Sequence, residues 1–83
     1  MLEEKIREIL DSHARLATPA AALADDDDLY AAGMSSQASV NVMLALEDTF
    51  DIEFPDYMLR RSVFESLGAI RSAVSELQSG AAV

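Results

Sequence analysis

Asp28-Leu29-Tyr30-Ala31-Ala32-Gly33-Met34-Ser35-Ser36 runs directly into Gln37-Ala38-Ser39-Val40-Asn41-Val42-Met43-Leu44-Ala45-Leu46-Glu47-Asp48-Thr49-Phe50. The first part is a loop approaching a helix. Gly33 can supply a tight turn, and Ser35 or Ser36 can cap the helix that follows. The helix is expected over residues 36–50, with Asp51 and Pro55 bounding its exit. At roughly 100° per residue, Ser36, Gln37, Val40, Leu44 and Glu47 share one sector. Val42, Met43, Ala45, Leu46 and Phe50 lie mostly on the other side and are expected to face the core. Val40 and Leu44 are then left as an apolar contact beside Ser36, rimmed by Glu47 and Asp48. The alternative is a helix apolar nearly all round, with Val40 and Leu44 buried as well.

Upstream, Leu2, Ile6, Ile9, Leu10, His13 and Leu16 recur at helical steps, which predicts a first helix over 2–16. Thr18-Pro19 is expected to end it, because proline cannot continue a helix and restricts the residue before it. The connection over 17–35 is long, and Leu23, Leu29, Tyr30 and Met34 are expected to pin it to the core. Downstream, a short helix is expected over 56–61, with Arg60-Arg61 near its C-terminal, cation-favouring end. A last helix follows the candidate cap Ser66 and runs to about Gln78, with Leu67, Ile70, Val74 and Leu77 buried. The expected fold class is all-α, a bundle of three main helices plus one short helix. Residues 1–78 form a single domain, and residues 79–83 are expected to be a tail.

Eighty-three residues suit one small domain, and half of them are hydrophobic, so the core is small. A deep catalytic pocket would remove core that such a chain needs. No acid–base or nucleophile–base set has credible spacing, so an enzyme is not expected. There is no cysteine, which excludes disulfides and thiol chemistry by the chain's own side chains. The net charge is −9. The stretch from Leu16 to Leu59 holds nine acids and no Lys or Arg. Such a surface repels nucleic acid and steers basic protein partners toward itself. It also predicts self-repulsion that added salt or magnesium would relieve. Asp25 to Asp28 are expected in solvent. A calcium loop starting at Asp25 fails, because it lacks the glycine at its sixth position and the closing glutamate. No metal site is expected. His13 is read as a packing or boundary residue, and the methionines Met34 and Met43 as core filler. No apolar run is long enough to span a bilayer. The opening Leu2-Glu3-Glu4-Lys5 is not a signal-peptide pattern, so a cytoplasmic monomer is expected.

The acidic loop, Gly33, Ser36 at a helix start and Leu46-Glu47 near its end together resemble the acyl carrier protein family. The resemblance covers most of the chain, including the first helix and Ser62-Val63-Phe64-Glu65-Ser66-Leu67. Ser35 and Ser36 are both candidates for the family's modified serine. The family places that serine three residues after the Gly and eleven before the Glu of Leu-Glu, and both spacings select Ser36. The resemblance implies a 4'-phosphopantetheine arm, attached to Ser36 by a phosphopantetheinyl transferase and holding cargo as a thioester. Physical chemistry suits that site. A phosphodiester at a helix N-terminus meets free backbone N–H groups and the positive end of the dipole. A chain without cysteine must also borrow its thiol.

Ser35 stands where the family most often has Asp, Gln37 where it has an apolar residue, and Asn41 where many fatty-acid carriers have an acid. The face beside Ser36 is therefore more polar than in a typical fatty-acid carrier. Leu29-Tyr30-Ala31-Ala32-Gly33, Ser35-Ser36, Ala38-Ser39-Val40 and Phe50-Asp51-Ile52-Glu53-Phe54-Pro55-Asp56 look most like the small aminoacyl carrier proteins. That resemblance implies glycine or alanine as cargo. It implies loading by an amino acid:carrier protein ligase resembling a seryl-tRNA synthetase, with a basic docking surface, and delivery to an acceptor enzyme. The expected partner-binding residues are Ser35, Gln37, Val40, Leu44, Glu47 and Asp48. The alternatives are a fatty-acid or polyketide carrier, or an unmodified helical interaction module.

Overall fold

The computed structural model describes residues 2–79. Four helices follow in order: α1 (Leu2–His13), α2 (Ser36–Phe50), α3 (Arg61–Phe64) and α4 (Leu67–Ser79). Two 3-10 turns, Ala20–Ala22 and Asp56–Met58, punctuate the connections. No strand occurs among the described residues. Among the described residues no helix is long and apolar enough to cross a membrane.

The core is built from residues at helical spacing. Ile6, Leu10 and Ala14 come from α1 and its exit, Ala38, Val42 and Leu46 from α2, and Leu67, Ile70 and Val74 from α4. Leu29 and Met34 enter it from the long connection, so the loop is pinned as its pattern predicts. Phe54 and Phe64 close one end, their rings edge to face at 5.3 Å. Burying each Leu or Ile of this set contributes about 1.5–3 kcal/mol. Val40 and Leu44 remain exposed and contribute little of that kind.

The helix ends differ from expectation in three places. First, α1 stops at His13 and not at Leu16. Arg15 adopts a left-handed conformation (φ 56°), which turns the chain before Pro19 is reached. His13 is exposed, and Ala14 takes the buried position. Second, the short helix expected over 56–61 is two pieces, the 3-10 turn and α3. Arg60 and Arg61 therefore stand at the start of α3, where the dipole does not favour them. Arg61 instead lies over the Tyr30 ring, 3.9 Å from its centroid. Third, α4 extends through Ser79, with Ser66 capping it by accepting from the Ala69 N–H at 3.1 Å. Residues 80–83 of the expected tail lie outside the described residues.

The acidic run is exposed, as expected, but it is not only solvated. Asp27 accepts from the Ala24 N–H, and Asp28 from the N–H groups of Tyr30 and Ala31. Asp25 pairs with Arg71 at 2.9 Å and, more loosely, with Arg7 at 3.9 Å. Both arginines also meet Glu3. Arg7 further donates to the carbonyls of Ala20 and Leu23. The long connection is thus tied to α1 and α4 by cations distant in sequence. The expectation that every acid between Leu16 and Leu59 lacks compensation is corrected for Asp25.

Candidate functional site

The loop that delivers Ser36 is held from both sides. On one side the Ala17 N–H donates to the Ala32 carbonyl at 2.8 Å; on the other, Leu29 donates to the Glu65 carbonyl at 2.7 Å. Between them Gly33 has φ +120°, and a Cβ there would meet the Ala17 nitrogen at 3.2 Å and the Arg15 carbonyl oxygen at 3.5 Å. Both the conformation and the close approach require glycine.

Of the two serines, Ser35 is the cap. Its backbone is extended, and its Oγ accepts from the Ala38 N–H at 3.0 Å. Ser36 is the first helical residue and is exposed. Its hydroxyl makes no hydrogen bond to any described residue, nor do the N–H groups of Ser36 and Gln37. Ser36 is therefore a free nucleophilic hydroxyl beside two unpaired donors at the positive end of a helix. A phosphodiester fits this arrangement: the donors would face its oxygens, and the hydroxyl is open to a modifying enzyme.

Two grooves flank α2. One, of about 240 Å³, is lined by Ser39, Val40, Met43, Leu59, Arg60 and Phe64. It starts one turn beyond Ser36, where the Ser39 hydroxyl donates to the Ser36 carbonyl at 2.7 Å. The other lies toward α1 and includes Leu44, Asp48, Asn41 and His13. Val40 (46% exposed) and Leu44 (53% exposed) thus stand on the lips of different grooves. The reading with both buried is excluded. Gln37 and Asp48 are exposed, as is Ser35.

Glu47 departs from the expected rim. It is half-buried, and its Oε2 accepts from the Phe54 N–H at 2.9 Å. Its carbonyl also receives the N–H groups of Asp51 and Ile52, which close the end of α2 around a left-handed Asp51. Glu47 therefore serves the fold, and Asp48 is the open acid of the pair. Leu59, Arg60 and Phe64 line the Val40 groove but are not among the residues expected at a functional site. Leu59 and Tyr57 are exposed large apolar residues, and only the clustering of Tyr57, Leu59 and Arg60 just past Pro55 hints at a surface role. Among the described residues no group of three His, Cys, Asp or Glu side chains could hold a metal.

Comparison with known proteins bears directly on this geometry. The model of a family described as the phosphopantetheine attachment site matches residues 4–73. A curated aminoacyl carrier protein of Agrobacterium fabrum is 52% identical over 75 residues, spanning 90% of each chain. A carrier protein from Agrobacterium tumefaciens, solved in complex with an engineered Bradyrhizobium japonicum glycine:[carrier protein] ligase and ATP, is 51% identical. It superposes with a TM-score of 0.87 over 90% of this chain and 97% of its own. A solution structure from Agrobacterium tumefaciens is 49% identical, with a TM-score of 0.72 over 98% of this chain and 99% of its own.

Proposed function

The chain belongs to the phosphopantetheine attachment site family; from that membership we propose that Ser36 carries the arm, and from the similarity to aminoacyl carrier proteins that its cargo is a small amino acid. The chain is an aminoacyl carrier protein homologue with a phosphopantetheine attachment domain. The observation that carries the assignment to Ser36 is the division of labour between the two serines. Ser35 spends its oxygen on the cap, while Ser36 keeps a free, exposed hydroxyl against unpaired helix N–H groups. When attached, the arm supplies the thiol that the chain lacks. The chain's own residues orient the attachment point and present a docking face, and no residue acts as a catalyst.

The loading partner in this reading is an amino acid:carrier protein ligase. The related Agrobacterium carrier was solved with an engineered glycine:[carrier protein] ligase. A phosphopantetheinyl transferase precedes it, and an acceptor enzyme follows it. The exposed Val40, Leu44, Gln37 and Asp48 support docking on α2, with a basic partner favoured by the net charge of −9. Arg60, just outside the stretch 16–59 that holds no Lys or Arg, lines the Val40 groove on this face.

Intact mass after treatment with a phosphopantetheinyl transferase and coenzyme A tests the site. One phosphopantetheine should appear on the native chain and on Ser35→Asp, which removes the hydroxyl but keeps a cap acceptor. None should appear on Ser36→Ala, and full modification of Ser36→Ala would overturn the assignment. Loading by a ligase with glycine or alanine and ATP, compared with loading by an acyl-carrier synthetase and a fatty acid, tests the cargo. Efficient fatty loading with none by amino acids would return the chain to the fatty-acid or polyketide branch.

A further inference from the structure

We infer that Arg60 is a charge filter at the groove beside Ser36, disfavouring an aminoacyl end at a surface that would accept a neutral acyl group of the same shape. The inference rests on the reading of Ser36 as the attachment point and deepens it by naming the residue that sets where the cargo sits.

Val40, Met43, Leu59 and Phe64 give the groove an apolar lining, joined by the hydroxyl-bearing Ser39, and Arg60 is the one charged lining residue. Arg60 is exposed and makes no ion pair among the described residues. Its neighbour Arg61 is engaged with Tyr30, which leaves Arg60 as the charged residue that lines the groove. The groove begins one helical turn from Ser36, about 5.4 Å along the axis, within easy reach of an arm attached there.

A glycyl or alanyl thioester carries an α-ammonium with a pKa of about 8, so it is cationic at neutral pH. Placing that ammonium in the groove costs its hydration and brings it against a like charge. A propionyl group is the same size as glycyl with a methyl in place of the ammonium, and it meets neither obstacle. Arg60 therefore opposes only the charged cargo. The aminoacyl end is held out in solvent, where an acceptor enzyme can take it.

The absence of native cysteine provides a clean test. Ser36→Cys is alkylated with haloacetamide arms of equal length, ending either in an ammonium or in a methyl group. Amide shifts of Ser39, Val40, Met43 and Phe64 report groove occupancy. With Arg60 present, the methyl-ended arm should occupy the groove about two- to fivefold more than the ammonium-ended arm beyond their difference in Arg60→Gln, because an exposed charge contact is worth under about 1 kcal/mol. Arg60→Lys should keep the preference, Arg60→Glu should reverse the charge contribution, and high salt should shrink it. An unchanged preference in Arg60→Gln, or no shift with either arm, overturns the inference. The thiol-linked arm does not depend on any transferase. Failure of enzymatic attachment at the native Ser36 is thus read separately, by mass.

Discussion

The Glu47 carboxylate and the Phe54 backbone N–H are joined at 2.9 Å, bridging the end of α2 to the segment that carries Phe54 into the core. The hydrogen bond holds an aromatic residue that is itself packed edge to face on Phe64. Glu47→Ala should destabilise the domain by about 1.5–3 kcal/mol, the range for a hydrogen bond to a charged group. Glu47→Gln keeps an acceptor and should lose less. Urea unfolding of both variants checks this. Equal stability of Glu47→Ala and the native chain would show that the contact is only incidental.

Asp48 makes the contrasting case. It is exposed on the Leu44 groove and makes no ion pair among the described residues. Asp48→Lys should leave stability within about 0.5 kcal/mol of native. Loading by a basic ligase should slow by about fivefold at low salt and become less salt-dependent. Stopped-flow or quenched loading assays at two ionic strengths measure it. Unchanged kinetics in the folded variant would remove Asp48 from the docking face.

Gly33→Ala should cost about 1–3 kcal/mol, because a Cβ-bearing residue is strained at φ +120° and its Cβ would press on the Ala17 backbone. The same substitution at Gly68, whose φ is ordinary, is limited to a tight 3.3 Å approach to the Asp25 carbonyl oxygen. Thermal melts of the two variants should rank Gly33→Ala as the more damaging.

Asp25 supplies a pH-dependent term. The hydrogen bond from Arg71 holds its carboxyl below the ordinary value; desolvation opposes this, and the charges of Arg71 and then Arg7 add to the lowering. A carboxyl whose folded pKa is depressed contributes stability above its unfolded pKa, near about 3.9, and loses it as pH falls through the folded value. Asp25→Asn should therefore be less stable than native at pH 7, and the gap should close below about pH 4. Denaturation at both pH values decides it. A gap that persists in acid would mean that packing, and not charge, accounts for the loss.

The helical class, the full span of α2 and most of the core were legible in the amino-acid sequence, because these depend on local periodicity and capping. Ile6, Leu10, Val42, Leu46, Ile70 and Val74 repeat at the helical period and are buried. The spacing of Gly33, Ser36 and Glu47 was equally legible, since it is a property of one continuous segment. Tertiary structure alone decided what depends on residues far apart in the chain. It turned α1 at Arg15, divided the 56–61 segment, and gave Glu47 an internal partner seven residues away. It also brought Arg71 to Asp25 and set Arg60 beside Val40. Periodicity states which face of a helix is apolar; only packing decides which polar groups that face meets, because a hydrogen bond or ion pair requires atoms within a few ångströms and not residues at a given spacing.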